Sequence, residues 1–480
     1  MTDVDKVRLY TNLPFLASEL IDVAKLFMHG ELFEYTSNIT QANIIHILTC
    51  ENDAIIKNQC QYKNKTYCNT FTLSKQWDKL ELKRFIKRYA KLAVYHCLKQ
   101  VFDKQMPWGA LTGIRPTKLA YEFLAENLDF KEMFKNVFDV SDKKITVVER
   151  ILKAQQGFRY FDDKVVNFYV GIPFCTSRCN YCSFTAGEIK KLNNFIQPYL
   201  TALNMEIKET LNLIEESGKK VKNIYFGGGT PTSIPLSELD RLLAHFDNIK
   251  ADEFTVEAGR PDTITEQTLQ VLKSHAVNRI SINPQSFNQR VLDIVGRKHT
   301  VKDIVDKLVL AKRYDFIVNM DFIAGLPTET FAEFKNSIDK AISLIPDNIT
   351  VHTLALKKGS ELKQSNVPAA YDGAVSDMVD YSYQMLTTRG YEPYYLYRQK
   401  YMTDNLENIG YAKSGTLSKY NIDIMEETTS ILACGSNAIT KRVFSTGNRI
   451  ERAAAPKDLS TYINKIDDLI KNKKQLFIFE

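Results

Sequence analysis

The sequence predicts an α/β protein built around a partial (βα)6 barrel, and three observations carry that reading. From residue 166 onward, apolar β-rich runs alternate with amphipathic helical runs, the pattern of parallel strands joined by right-handed crossovers. There are six such units rather than eight, so the sheet is expected to stay open. Every chemically unusual motif also falls at or just past the carboxyl end of a predicted strand, where parallel α/β folds carry their sites.

The elements follow in chain order. Residues 1–160 read as an α+β domain of unassigned role. Strand-like runs at 7–10, 44–49, 54–56 and 66–73 surround one early helix. A long basic helix over 80–102 and a helical connector to about 157 come next. Between them the turn 107–116 holds two prolines and two glycines before a helix, a structured connection in the first instance and a substrate lid in the alternative. Residues 161–360 hold predicted strands at 166–172, 221–226, 253–257, 279–283, 317–323 and 348–356. Helices at 193–216, 236–246, 265–275, 301–313 and 330–345 separate them. Residues 361–480 are expected to be mainly helical, with hairpin character near 391–397, and to cover the barrel mouth.

Composition narrows the class. A chain of 480 residues can bury a large core in two or three domains. Its net charge of +6 suits an anionic substrate but does not argue for nucleic acid. No apolar run approaches the ~20 residues of a membrane span, and the start, Met1 to Lys6, lacks the features of an export signal. Eight cysteines in so long a chain do not form a disulfide framework, so reduced thiols in the cytoplasm are expected. Cys50, Cys60, Cys68, Cys97 and Cys434 are expected to act as small buried apolar residues. A second metal site from Cys50, Cys60 and Cys68 would need a more regular spacing.

The chemistry concentrates at Cys175, Cys179 and Cys182, a C-x3-C-x2-C run just after the first barrel strand. Three thiolates on one loop can hold three irons of a cubic cluster and leave the fourth open for a ligand. A zinc knuckle calls for a second ligand pair, and none lies nearby in the sequence. Gly227, Gly228 and Gly229 follow the second strand, where glycine permits a sharp turn and close approach of a ligand to the main chain. The run lacks the Lys-Ser/Thr ending of a phosphate loop.

These motifs resemble a known family. Cys175-Thr-Ser-Arg-Cys179-Asn-Tyr181-Cys182 resembles the cluster motif of radical S-adenosylmethionine (SAM) enzymes. Tyr225-Phe-Gly-Gly-Gly-Thr-Pro-Thr232, Val256-Glu-Ala-Gly-Arg-Pro261, Pro284-Gln-Ser-Phe287 and Asp321-Phe-Ile-Ala-Gly-Leu-Pro327 resemble segments of the oxygen-independent coproporphyrinogen III oxidase branch. With Leu111-Thr-Gly-Ile-Arg-Pro-Thr-Lys118 added, the sequence resembles the HemZ-type members of that branch. The resemblance implies a [4Fe-4S] cluster on Cys175, Cys179 and Cys182, and SAM chelated to the open iron. It implies SAM contacts from Tyr169, Tyr181, Gly228, Gly229, Thr230, Glu257, Gln285, Arg297, Asp321 and Ile323. Tyr169, Gln285 and Arg297 would serve catalysis, Arg297 by clamping a carboxylate with its fork. It further implies a tetrapyrrole substrate, coproporphyrinogen III, and a low-potential electron donor such as flavodoxin or ferredoxin.

The tyrosine-rich run Tyr391 to Tyr401 is expected to be an aromatic strand packed on the barrel. The alternative is a wall for a flat macrocycle, with Arg398 and Lys400 meeting carboxylates. For Arg178, Arg260 and Lys298 the expected state is solvated surface charge. One departure stands out: Cys182 is followed by Ser183-Phe184, where the decarboxylases of the branch carry a further cysteine. That ending is closer to relatives that act as haem chaperones. Decarboxylation of coproporphyrinogen III propionates to vinyls therefore ranks first. A haem-binding chaperone ranks second, and a radical SAM enzyme with another substrate, such as haem or RNA, ranks third.

Overall fold

A period-two alternation of buried and exposed side chains sets the first sheet. The computed structural model describes residues 6–28, 30–51, 55–72, 79–113, 115–184, 186–355, 360–363, 374–399, 402–445 and 449–478. The chain divides into two compact units, Met1–Glu149 with Asp404–Leu406, and Arg150–Thr403 with Glu407–Glu480. In the first, β1 (Val7–Thr11), β2 (Phe33–Tyr35), β3 (Ile44–Glu51), β4 (Ile55–Tyr62) and β5 (Lys65–Thr72) form a sheet in the order β2-β1-β3-β4-β5. β1 is parallel to both neighbours, and β3, β4 and β5 form an antiparallel meander. β4 buries every second residue, and the helix Lys79–Phe102 packs on β4 and β5. One covered face and one solvated face is what such alternation produces.

That helix is basic in sequence, but much of its charge is used inside the unit. Lys87 pairs with Glu19, Arg88 with Glu122 and Lys99 with Asp139, and the buried Lys91 donates to the Thr112 carbonyl at 2.6 Å. RNA affinity depends on uncompensated cations, so the nucleic-acid reading loses support here. The described residues of the 107–116 turn are packed within this unit. Trp108 is fully buried, and the Ala110 amide donates to the Phe138 carbonyl at 2.9 Å. At Gly109 (φ +51°) a Cβ would lie 1.9 Å from that same carbonyl oxygen. Ile114 of this turn lies outside the described residues. Cys60 and Cys97 are buried as expected, whereas Cys50 and Cys68 are exposed: Cys68 faces solvent from β5, and Cys50 lies in the exposed last residues of β3.

The second unit is built on six parallel strands. β6 (Val165–Ile172) leads to a short bridge of β7 (Phe174–Cys175) with β8 (Gly187–Glu188). Then come β9 (Lys220–Gly228), β10 (Glu253–Glu257), β11 (Arg279–Ser281), β12 (Ile317–Ala324) and β13 (Asn348–Thr353). The order β6-β9-β10-β11-β12-β13 is parallel throughout. Phe168, Phe226, Phe246 and Phe254 meet with ring centroids 5.0–5.8 Å apart, several edge to face, and fill the core behind β6 and β9.

The C-terminal segment contains the helices Ala374–Thr388, Lys419–Glu426, Leu459–Asn464 and Ile466–Ile478. It also supplies five strands that the sequence did not signal as a group. β14 (Glu392–Tyr397) and β15 (Asn408–Ala412) extend the sheet antiparallel beyond β13. β16 (Ser430–Cys434) runs parallel to β6, and β17 (Ile439–Val443) and β18 (Ile450–Ala454) complete the far edge. β15 is buried at every residue and β16 at nearly every one, so neither shows the alternation that marks a strand. The eleven-stranded sheet stays open, with β14 and β18 at its edges. Among the described residues no helix is long and apolar enough to cross a membrane.

The helix Lys419–Glu426 is clasped to the barrel strands by one carboxylate. Asp423 accepts from Lys222 Nζ at 3.0 Å, from the side-chain amides of Asn167 and Asn223 at 3.1 Å each, and from the Thr428 hydroxyl at 2.9 Å. Lys222 and Asp423 are both buried. Removing one partner of a buried ion pair leaves the other charge uncompensated, at a cost of about 3–5 kcal/mol. Asp423→Ala is therefore expected to destabilise this unit by about that amount in denaturant titrations, and Lys222→Met combined with Asp423→Leu to recover most of it. A loss below about 1 kcal/mol for Asp423→Ala would contradict the clasp.

Candidate active site

Main-chain bonds fix the cysteine loop before any side chain contributes. The Ile189 amide donates to the Cys175 carbonyl at 2.8 Å, and the Cys182 amide to the Cys179 carbonyl at 3.0 Å. Asn180 ties the middle of the loop to the carbonyls of Val295 and Ile294. From the neighbouring strand, the Gly229 amide reaches the Ile172 carbonyl and the Thr230 amide the Phe174 carbonyl, each at 2.7 Å. Gly228 sits at φ +106°, which only glycine adopts readily. A Cβ on Gly229 would lie 2.5 Å from the Phe174 carbonyl oxygen and 3.0 Å from the Cys175 sulfur. The glycine run thus makes room for a thiol and whatever it binds.

The three thiols line one cavity of about 400 Å³. Arg260 is buried beside them, contrary to its expected solvation. Its guanidinium donates to the Cys179 sulfur at 3.3 Å and to the Ser177 hydroxyl at 2.5 Å. Thr230 donates to the Cys175 sulfur at 3.5 Å. Burial pushes the Cys175 thiol up to about 11 and raises Cys182 as well, so iron would be what holds these sulfurs as thiolates. Among the described residues no three His, Cys, Asp or Glu side chains converge on a single metal position.

The opposite wall is acidic and aromatic. Burial raises the Glu257 carboxyl to about 7, against the hydrogen bond it accepts from the Tyr225 hydroxyl at 2.5 Å. Burial acts on Asp321 too, but hydrogen bonding to His352, Asn319 and Thr350 outweighs it and holds that carboxyl below the ordinary range. His352 Nε2 lies 3.7 Å from Asp321, and its Nδ1 meets the Tyr397 hydroxyl at 3.2 Å. Gln285 is pinned at φ +67° by main-chain bonds to Asp321 and Ile323. Its buried Oε1 has no hydrogen-bond partner, the mark of an atom waiting for a ligand. Asn283 Oδ1 is in the same state.

Cys175, Cys179, Cys182, Tyr181, Gly228, Gly229, Thr230, Glu257, Gln285, Arg297, Asp321 and Ile323 all line this cavity. Tyr169 does not. Its ring stacks on Tyr225 at 6.2 Å, and Tyr225 occupies the wall instead. Arg297 is present but largely committed. It donates to the Tyr181 hydroxyl, the carbonyls of Gly259 and Asn283, and His299, which leaves one Nη1 hydrogen rather than a whole fork. Of the tyrosine run, Tyr395 and Tyr397 line the cavity with rings 6.4 Å apart and nearly parallel. Tyr391 is buried elsewhere, bonded to the Pro346 carbonyl. Arg398 is buried, and that burial lowers it to about 9 against the opposing effect of Glu407. Arg178 and Lys298 are exposed as expected, and Lys400 lies outside the described residues.

Sequence reasoning missed Tyr225, Asn283 and His352. Each stands at or beside a strand end on the side already marked by Glu257 and Asp321, so the strand-end rule applied evenly would have found them.

Comparison with known proteins shows which ones this chain resembles. Residues 169–341 match the Radical SAM superfamily. The chain is 39% identical over 390 residues to the oxygen-independent coproporphyrinogen-III oxidase-like protein HemZ of Bacillus subtilis, covering 77% of each. It is 33% identical over 196 residues to the heme chaperone HemW of the same organism, covering 39% of this chain and 50% of that one. The structure of coproporphyrinogen III oxidase (HemN) from Escherichia coli superposes with a TM-score of 0.52 at 22% identity, covering 69% of this chain and 73% of that one.

The tight fit at Gly229 makes a direct prediction. Gly229→Ala should lower cluster affinity by at least about tenfold, read as iron and sulfide content after anaerobic reconstitution, with the circular dichroism unchanged. Full cluster content in that variant would show that the thiols bind elsewhere.

Proposed function

This chain belongs to the radical SAM superfamily, in the branch of oxygen-independent coproporphyrinogen-III oxidase-like proteins, and on that premise we propose that it converts coproporphyrinogen III to protoporphyrinogen IX. The superfamily uses a [4Fe-4S] cluster and SAM. Bound in this cavity, they supply an electron at low potential and abstraction of a hydrogen atom from an unactivated carbon. The single observation that carries the reading is the cavity itself: three thiols on one side and unsatisfied or acidic groups on the other.

Each residue then has a task. Cys175, Cys179 and Cys182 hold three irons. The main chain at Gly228 and Gly229 lets the methionyl end of SAM approach closely. Glu257 and Asp321 accept hydrogen bonds from its amine or ribose hydroxyls, and Gln285 Oε1 offers the acceptor that has no partner in the protein. Arg297 orients Tyr181 and contributes its remaining N–H. Tyr395 and Tyr397 present parallel rings against which a flat pyrrole can lie. A propionate becomes a vinyl group by losing carbon dioxide, a hydrogen atom that passes to cleaved SAM and one further electron that passes to an external one-electron acceptor, twice per molecule. A cytoplasmic location and a low-potential protein donor are parts of the same proposal.

One observation supports a second reading. Ser183 and Phe184 stand where decarboxylases of the branch have a further cysteine, and the relatives include heme chaperones. A haem carrier would bind haem stoichiometrically without turnover.

The assay that separates them is anaerobic incubation of reconstituted protein with SAM, a reductant and coproporphyrinogen III. The enzyme yields 5′-deoxyadenosine with mono- and divinyl porphyrins. An intact cluster with unaltered porphyrin would overturn the assignment. The pH dependence gives an independent check. Glu257 pairs its charge with a cationic amine only when ionised, so SAM affinity is expected to rise as pH increases through about 7. Glu257→Gln should remove that rise and weaken binding by about tenfold. A pH-independent affinity in the wild type would contradict the role.

A further inference from the structure

One buried carboxyl has no part in the site described above. Glu329 stands just before the helix Phe331–Leu344, is buried, and does not line the cavity. Its Oε1 accepts from the Ser286 hydroxyl at 2.6 Å. Its Oε2 is also buried and has no hydrogen-bond partner. An ionised carboxyl in such a place is ordinarily paired with a cation or fully hydrogen-bonded. The charged groups around it are engaged with others. Arg290, on the helix Gln289–Ile294, donates to Thr328 and Glu333, and Glu333 also accepts from the Asn288 side chain at 2.7 Å. Lys340 lies over the Phe287 ring. Burial raises the Glu329 carboxyl to about 8, with Glu333 adding to the effect and Ser286 and Arg290 opposing it. At neutral pH this side chain is therefore an uncharged acid.

What Glu329 grips is the turn that presents Gln285. Ser286 is fully buried and gives its proton to Glu329, while its oxygen accepts from the Asn288 amide at 3.0 Å. Ser337 lies 3.4 Å from the same oxygen and accepts from the Phe287 amide at 2.9 Å. Gln285 comes directly before this arrangement, at φ +67°. A residue with a side chain stays in that region only where its surroundings over-determine it. On one side the restraint is β12, whose main chain bonds both the amide and the carbonyl of Gln285. On the other side it is Ser286 and its acceptor. The unpartnered Gln285 Oε1 is thus aimed in part by a carboxyl that touches nothing in the cavity.

We propose that Glu329 is a positioning residue for SAM: acting through Ser286, its uncharged carboxyl keeps the Gln285 turn in the conformation that aims Oε1 at the ligand. The proposal rests on the assignment of the cavity to SAM. Ionisation would place an unpaired charge in a dry interior beside the turn, and opening of the turn to water relieves it. The competent form is the protonated one. Affinity for SAM is therefore lost as pH rises through about 8, the reverse of the gain that Glu257 brings through about 7.

The test compares Glu329→Gln, which still accepts from Ser286 but cannot ionise, with Glu329→Ala, which leaves the Ser286 hydroxyl without its acceptor. SAM affinity of the reconstituted proteins is measured by anaerobic equilibrium dialysis across a pH series, with cluster content as the control. Near neutral pH, Glu329→Gln is expected to bind within about twofold of wild type. One pH unit above the midpoint it should bind about tenfold tighter than wild type, because only about a tenth of the wild-type carboxyl is then protonated. Glu329→Ala should bind about tenfold more weakly near neutral pH, and its combination with Gln285→Ala no more weakly than Gln285→Ala alone. A second readout needs neither cluster nor SAM. Hydrogen exchange of residues 285–288 in the cluster-free protein should be equal in wild type and Glu329→Gln at mildly acidic pH, and faster in wild type above the midpoint. Parallel pH profiles for wild type and Glu329→Gln, equal exchange above the midpoint, or additive losses in the double variant would overturn the positioning role. If Glu329→Ala does not fold, the Glu329→Gln comparison decides alone. The expected exchange difference in a wild type that holds a full cluster but binds no SAM would refute the cavity assignment, and with it the proposed role, while leaving the Glu329–Ser286 coupling in place.

Discussion

The register of β6 on β9 governs where the chemistry sits. Ile172 pairs with Gly228 at the end of that ladder, and the next residues of each strand then diverge around one another. Phe174 and Cys175 turn over the glycine run, whose missing side chain leaves the space a cluster ligand needs. A slip of one residue would turn every side chain of β6 to the other face and carry the cysteine loop off Gly229. The aromatic cluster behind these strands and the Asp423 clasp both act to hold that register. The clasp bonds Asn167 of β6 and Asn223 of β9 to one carboxylate.

From this anchor the rest of the site follows by strand order. Each later strand delivers its final residues to the same cavity, and the environment differentiates them. Glu257 and Asp321 are two half-buried carboxyls with opposite tendencies, because Asp321 has His352 and Asn319 as partners while desolvation dominates at Glu257. Arg297 shows how a charged residue can be both at the site and mostly structural. Its hydrogen bonds to the Gly259 and Asn283 carbonyls join the ends of the third and fourth barrel strands.

The barrel was legible because its signals are local. Six apolar runs and five amphipathic helices stand out by period alone, and the helix predicted over 193–216 is found over those residues. The motif residues were legible because their types are rare in that order. What could not be read was pairwise. Tyr169 was expected at the ligand, but Tyr225 holds the wall while Tyr169 stacks behind it, a choice set by packing across two strands. Arg260 was expected in solvent, and only the folded loop shows it against the Cys179 sulfur. Strands β15 and β16 escaped notice because full burial erases alternation. The first unit's role was not readable in its sequence, and its paired charges explain why a basic helix there was a poor guide.

The central claim is that Cys175, Cys179 and Cys182 leave one iron open toward the wall formed by Glu257, Gln285 and Asp321. Mössbauer spectroscopy of protein reconstituted with 57Fe, with and without SAM, tests it most directly. The account predicts that SAM changes the signal of one iron site and leaves the others as they were. An unchanged spectrum from a fully loaded cluster, or a signal from a single isolated iron, would contradict it.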